Sequence, residues 1–526
     1  MLIAFVPLVL ISASVGFSAE AEDNAGTLFA RGKAAVQGYC GLCHPAPDPK
    51  LLDRKTWLES VLPLMKPGGS VSTPLAGPGT AEFTEEMNPL VLARLLAPPV
   101  DTNTWKDIEN YFAKAAPEKL PVAKRPRPLE VGMPGFLVEL PPFVRQEQLR
   151  VSAIRIDERK QRILIGTHEP SSFAVYDGAL KPLLISNVGN PPTWFERRAL
   201  PNGFSQLTLT MVGQLDPNDR PEGYVMALDE LPGNGFYRNP HPLRLQFRRP
   251  VHTQWADVDG NGLLDAVVCQ FGSQHGLLSL HLTQRDGRFK DSILIPRPGA
   301  AMTQLVDDDG DGDLDIFVLM TQANEALLRL ENQGNGEFDE SVVLSFPPVY
   351  GSTSFELVDF NGDGLLDILL STGDNADYSV IFKPYHGIHI FLNRGDGRYE
   401  KSYFYPLDGA YRVNSADFDG DGDLDLASIA FFADFSRKPL GAFVYFENVG
   451  TGEKLDFMPR TFAEADGGRW LVMDTGDVDG DGDKDVVLGN YIRPQAGAGT
   501  IPREILESWK KNGPLFVLLR NQAKRR

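Results

Sequence analysis

Two patterns in this chain have the residue types and spacing for chemistry. Tyr39-Cys40-Gly41-Leu42-Cys43-His44 sets two thiols three positions apart and an imidazole directly after the second. This is the attachment sequence for a c-type haem: both thiols form thioethers with the porphyrin vinyls, and His44 turns its ring onto the iron. A redox or zinc CxxC is the alternative reading, but no second ligand pair and no βαβ pattern accompany it. A methionine as sixth ligand would raise the reduction potential, and two candidates precede the last predicted helix. Met65 ends the run Trp57-Leu58-Glu59-Ser60-Val61-Leu62-Pro63-Leu64-Met65, and Met87 lies 43 residues after His44. Core packing is the expected role of whichever methionine is not a ligand.

The second pattern is D-x-[DN]-x-[DN]-G-x-x-D, present five times. Its side-chain positions are Asp257, Asp259, Asn261 and Asp265; Asp307, Asp309, Asp311 and Asp315; Asp359, Asn361, Asp363 and Asp367. Asp417, Asp419, Asp421 and Asp425, then Asp477, Asp479, Asp481 and Asp485, complete the set. Oxygens from positions 1, 3, 5 and 9, with a backbone carbonyl from 7, can converge on one hard cation, and the glycine at 6 supplies the turn. An EF-hand closes with glutamate at position 12, whereas these copies carry Val268, Val318, Leu370, Ser428 and Leu488 between β-like flanks. The loops therefore belong inside β-hairpins, and calcium suits them better than magnesium because no strict octahedron is imposed. Two like charges 4 Å apart repel by about 4 kcal/mol at an effective dielectric near 20, so an empty loop of four aspartates is strained. About five Ca2+ would bring the formal charge of −19 to −9. A site in every repeat points to metal used for folding rather than for ligand capture.

The elements that must position these groups fall into four stretches. Leu2 to Val15 is an apolar run of signal-peptide length, with no preceding Lys or Arg, and Ala19-Glu20-Ala21 offers a cleavage site, so 1–21 reads as a signal peptide. An uncleaved anchor is the alternative. Within a first domain of 22–116, residues 26–116 read as helical, with segments opening at Thr27, Lys55, Thr84 and Thr104; Trp105, Ile108 and Phe112 share one face of the last. Seven prolines between Pro117 and Pro142 make 117–148 an extended linker. From 149 to 526 the period becomes two and the acidic loops recur 50, 52, 58 and 60 residues apart, which predicts about seven units of several strands. Two worn copies, around Ile156-Asp157-Glu158 and Leu215-Asp216-Pro217-Asn218-Asp219, would complete the count. Cys269 is expected as a buried thiol, and His386 and His389 fall in or beside a polar, aromatic insertion at 373–389.

The loops and their β-rich blocks resemble the FG-GAP/VCBS repeats of integrin-α-like seven-bladed β-propellers, which implies that the aspartates bind calcium. Residues 26–116 resemble a single-haem class I cytochrome c. Met65 matches the place of a methionine in similar cytochrome domains fused to such propellers, whereas Met87 has the spacing of ordinary small cytochromes c. The expected fold is mainly β: a seven-bladed β-propeller preceded by a small all-α cytochrome c domain.

The expected function is exported, periplasmic or secreted, one-electron transfer through one covalent haem c. The propeller would dock a redox partner protein or an extracellular ligand. The excess of 70 acidic over 51 basic residues argues against nucleic acid, and no second apolar run spans a membrane after signal cleavage. The rivals are an oxidoreductase whose propeller binds the substrate and an adhesion or scaffold module. Against catalysis, the chain shows no nucleophile elbow, no dinucleotide fingerprint and no histidine-rich metal cluster.

Overall fold

The computed structural model of the chain describes residues 25–42, 44–66, 100–142, 150–231, 237–334, 336–376, 379–451, 454–492 and 501–523. The expected signal peptide, Cys43, Met87 and the helix expected near Thr84 lie outside the described residues.

Seven sheets, antiparallel apart from one short added edge strand, follow one another along the chain, and their strands count out a seven-bladed propeller. Blade 1 spans 151–187, blade 2 192–247, blade 3 250–295, blade 4 300–345, blade 5 352–406, blade 6 410–461 and blade 7 470–521. In blades 3 to 7 the acidic loop joins the innermost strand to the second, as in Pro250–Ala256 to Asp265–Gln270. The second strands Asp265–Gln270, Asp315–Met320, Asp367–Thr372, Asp425–Ala430 and Asp485–Asn490 are buried at every position. Each faces a neighbouring blade on both sides, which is why the sequence after every loop runs apolar without alternation. Cys269 lies in such a second strand, fully buried, and burial pushes its thiol up to about 12.

The ring is closed by chain that precedes it. Phe136–Glu139 pairs antiparallel with Phe516–Asn521 as the outer strand of blade 7, and Glu130–Val131 adds in parallel to Phe457–Thr461 of blade 6. Arg520 grips Glu139 through two hydrogen bonds of 2.9 Å, a planar fork on a carboxylate. The proline-rich stretch thus contributes two edge strands, a position that tolerates prolines nearby because an edge leaves N–H groups unused. Of the two worn repeats, Ile156-Asp157-Glu158 does open the innermost-to-second turn of blade 1. The other is corrected: 215–219 joins the second and third strands of blade 2, and the innermost-to-second turn is Leu200–Phe204. Asp219 instead accepts the backbone N–H groups of Ser273, Gln274 and His275 and caps a turn of blade 3.

A small helical unit precedes the ring. Its helix Ala25–Tyr39 crosses the helix Thr102–Ala115 at Gly32, where a Cβ would lie 2.3 Å from the Asp107 carbonyl oxygen. Only glycine permits that approach. The second helix begins two residues before the expected Thr104, because Asp101 rather than the threonine caps it, accepting from Asn103 N at 2.8 Å and Thr104 N at 3.0 Å. Between them Arg54–Thr56, a π-helical turn Trp57–Val61 and Leu62–Met65 run on as one segment. Pro63 lacks the N–H that an α-helical ladder would use there, so the wider turn relieves the ladder just before it. Trp57, Trp105, Ile108 and Phe112 form the core, with Val349 and Tyr385 of the propeller packed against it.

Candidate metal loops and the Cys-His segment

The five loops share one hydrogen-bond plan. At position 1 the carboxylate accepts backbone N–H from the glycine at 6 in all five loops and also from the glycine at 4 in blades 4 to 7: Asp307 from Gly310 and Gly312 at 2.8 and 3.1 Å, Asp417 from Gly420 and Gly422 at 2.8 and 3.2 Å, but Asp257 from Gly262 alone at 2.8 Å. Both glycines of the pair Gly310 and Gly312 have positive φ (+76° and +96°), so the loop needs glycine twice rather than only at position 6. Position 3 accepts from the N–H at 5, and position 5 from the N–H at 7. These turns curl the side chains inward. Three carboxylates come within 4.8 Å of one another in four loops: Asp257, Asp259 and Asp265; Asp307, Asp309 and Asp311; Asp417, Asp419 and Asp421; Asp477, Asp479 and Asp485. In the remaining loop the Asn361 amide donates to Asp363 Oδ2 at 2.9 Å.

Position 9 does more than the motif suggests. Asp265, Asp315, Asp367, Asp425 and Asp485 are buried, and each uses Oδ1 to accept an N–H at the end of the blade's third strand. In four blades that residue is asparagine (Asn332, Asn393, Asn448, Asn521), whose amide returns to the carbonyl at loop position 8. Position 9 is therefore a brace between loop and sheet. For three of the four asparagines the sequence signal was an Asn-x-Gly turn, which marks a turn and gives no hint of the brace; Asn521, followed by Gln522 and Ala523, lacks even that.

Electrostatic surroundings divide the loops. Arg329 reaches into the blade 4 loop, 3.0 Å from Asp309 and 2.7 Å from Asp315, and Arg520 lies 2.9 Å from Asp479 in blade 7. Among the described residues no such cation reaches the blade 6 loop: Tyr445 donates its hydroxyl to Asp425 at 2.9 Å instead. Burial, reinforced by Asp421, Asp419 and Asp417, pushes Asp423 up to about 6, and burial pushes Asp425 up to about 7. Asp423 Oδ1 in blade 6 and Asp257 Oδ1 in blade 3 are buried without a hydrogen-bond partner. Buried, unsatisfied carboxylate oxygens in an acidic cage fit an oxygen-seeking cation such as calcium.

In the helical unit Cys40 opens a 3-10 turn, Cys40–Leu42, directly after the first helix and is half-buried against the core. His44 Nδ1 lies 2.9 Å from the Pro45 carbonyl oxygen. A carbonyl only accepts, so Nδ1 carries the proton and Nε2 keeps a lone pair suited to a metal. Leu42 and Met65 remain 45 % and 38 % exposed, a large apolar share for so small a unit. The insertion at 373–389 is the seat of this unit: Tyr385 donates to the Leu51 carbonyl at 3.0 Å and stacks on Tyr350 at 5.0 Å. His386 and His389 are buried beneath it, and desolvation holds both imidazoles well below their usual range.

Residues 307–370 and 372–428 match the FG-GAP-like repeat family, running from the blade 4 loop through the blade 6 loop. The chain carries FG-GAP repeats on a seven-bladed propeller. No curated protein matches the sequence. Among solved structures, the N-terminal domain of Nup159 is 10 % identical, with a TM-score of 0.40 over 76 % of this chain and 98 % of that one. The periplasmic gluconolactonase PpgL of Pseudomonas aeruginosa is 15 % identical, with a TM-score of 0.41 over 64 % and 93 %. BBS1N, solved in complex with ARL6DN, is 10 % identical, with a TM-score of 0.42 over 69 % and 99 %. Among the described residues no helix is long and apolar enough to cross a membrane.

Proposed function

We infer that this chain is an exported c-type cytochrome in which a calcium-braced propeller docks a redox partner or ligand. The observation that carries the reading is the attachment sequence with its preset imidazole: Cys40, Cys43 and His44 in order, and His44 Nδ1–H held by Pro45. Thioethers from the two cysteines and His44 Nε2 would hold one haem c, with Met65 as sixth ligand and Met87 as the alternative. When bound, that group supplies reversible one-electron exchange. The protein's own part is positional. Pro45 fixes the tautomer and orientation of His44, the crossing at Gly32 fixes where Cys40 emerges, and Tyr385 anchors the unit to the propeller.

Eighteen carboxylates and two asparagines at the twenty loop positions would hold up to five Ca2+. Neutralising those cages favours the closed ring, because binding to the folded chain alone adds to its stability. The FG-GAP match supports an extracytoplasmic docking body, the setting in which such repeats are usual.

The test is a reduced-minus-oxidised absorption spectrum of full-length protein made with haem-maturation machinery. A c-type α-band that survives acid–acetone extraction is expected from the native chain and lost in Cys40→Ala. A colourless native protein would refute the reading. Met65→Ala is expected to shift the reduction potential downward, and an unchanged potential transfers the ligand role to Met87.

A further inference from the structure

The propeller axis holds a polar cavity of about 250 Å³. Every innermost strand contributes its fifth residue to that cavity, and in all seven blades this residue is polar. Three of the seven tie one blade to the next through a backbone N–H. Gln304 accepts from Leu357 at 2.7 Å, Glu356 from Ser415 at 2.9 Å and Asp474 from Ile156 at 2.8 Å. Two more pair with each other, Arg155 with Glu196 at 3.0 Å. The remaining two, Gln254 and Asn414, do neither, and Gln254 Oε1 and Asn414 Oδ1 are buried without partners.

Two residues earlier on the same two strands stand His252 and Arg412. The Thr303 N–H points at His252 Nδ1, 3.4 Å away, so the proton of this neutral, 2 % exposed ring sits on Nε2, which has no acceptor. Arg412 Nε is likewise buried and unpartnered, and its guanidinium lies over the Trp194 ring of blade 2, 5.3 Å from the centroid. Blade-to-blade stapling explains the first five residues of the ring. It leaves four orphan groups on blades 3 and 6, two acceptors and two donors.

That balance selects a chemistry. A carboxylate or phosphate would satisfy the donors and leave the amide oxygens orphaned, and an ammonium group would do the reverse beside two guanidiniums. A hydroxyl donates and accepts at once. Guanidiniums and carboxylates both ring the space, so neither ionic class is favoured, and the volume holds about eight waters, close to one sugar ring. We propose that the axial cavity binds a neutral polyhydroxylated molecule of monosaccharide size, held by Arg412, His252, Gln254 and Asn414. This site stands apart from the electron-transfer reading.

The test uses the full calcium-loaded chain in titration calorimetry against glucose, galactose, mannose, xylose and myo-inositol, each to tens of millimolar, with acetate and ethylammonium as ionic controls. Saturable heat is expected from at least one of the five. It should weaken about tenfold or more in Arg412→Gln and about three- to tenfold in Asn414→Ala. If Arg412→Gln does not fold, Gln254→Ala, whose amide oxygen has no hydrogen-bond partner in the fold, gives the same reading. Cys40→Ala is expected to bind normally, so loss of haem and loss of this site are separable. The proposal falls if no sugar gives heat, which would leave only water in the cavity, if acetate binds more tightly than every sugar, or if the cavity variants bind unchanged.

Discussion

The loops of blade 4 and blade 6 read almost identically, Asp307-Asp308-Asp309-Gly310-Asp311-Gly312-Asp313-Leu314-Asp315 against Asp417-Phe418-Asp419-Gly420-Asp421-Gly422-Asp423-Leu424-Asp425. Their backbones share one hydrogen-bond plan, yet their charge balance is opposite. Arg329 from the third strand of blade 4 contacts Asp309 and Asp315, while among the described residues blade 6 offers the neutral Tyr445 in its place and leaves Asp423 Oδ1 unsatisfied. A motif sets where ligands point, and residues outside it set how much a cation is needed. If the loops hold calcium as proposed, blade 6 would be the site that needs the ion more and blade 4 the one that needs it less.

The widest separation is expected on removing metal. At a hundredfold excess over its dissociation constant, one calcium adds about 2.7 kcal/mol to folding. Asp417→Ala should therefore cost about 2–3 kcal/mol in calcium and little in EDTA, whereas Asp307→Ala should cost about 1 kcal/mol in either, with Arg329 supplying the charge. Arg329→Ala should invert the pair, destabilising the chelated protein by about 1–2 kcal/mol and raising the calcium response of blade 4. Chemical denaturation with and without EDTA measures all three, and equal EDTA responses of Asp417→Ala and Asp307→Ala would break the comparison.

Acidity separates the same loops more gently. In the chelated protein Asp425 is raised to about 7 and Asp423 to about 6, both from an ordinary value of 3.8. A raised acid stays protonated in the fold while the unfolded chain ionises, so its penalty grows as pH climbs from about 4 to 7. In EDTA, blade 6 should gain stability on acidification from pH 7 to 5. With calcium the slope should reverse, because protons then compete with the ion. Hydrogen exchange at the Asn448 amide, which binds Asp425, reads this locally. Faster opening in EDTA at pH 5 than at pH 7, after correction for intrinsic exchange, would contradict the assignment.

What was legible in the sequence follows from the range of the interactions. The loops, their hairpin setting, the apolar second strands and the sevenfold count depend on neighbours within a few residues, and each could be read from spacing. The helical face Trp105, Ile108 and Phe112 was legible for the same reason and is buried. Arg329 was not, since nothing local tells an arginine in a third strand that it faces a loop some twenty residues back. Nor was the closing strand Phe136–Glu139, whose partner lies nearly four hundred residues away. The second worn repeat failed differently: Asp216 and Asp219 imitate the motif by composition but lack its paired glycines. The axial ring had a signal that went unused, a polar residue three places before every acidic loop at Gln254, Gln304, Glu356, Asn414 and Asp474.

The finest contrast lies in the braces behind the two loops. Asn332 and Asn448 occupy the same place, each accepting from a glycine N–H at 3.0 Å and each returning to the carbonyl at loop position 8, at 3.1 and 3.2 Å. Asn332 makes one bond more, from its amide to the Val258 carbonyl of blade 3 at 3.0 Å, whereas Asn448 has no counterpart across its blade boundary. One net hydrogen bond is worth about 1 kcal/mol. Asn332→Ala should therefore destabilise by about 1 kcal/mol more than Asn448→Ala in saturating calcium, and its added effect should appear as faster exchange on the blade 3 side. Equal costs would mean that neighbouring blades are held by packing of their second strands alone, with the polar link contributing nothing to the cohesion of the ring.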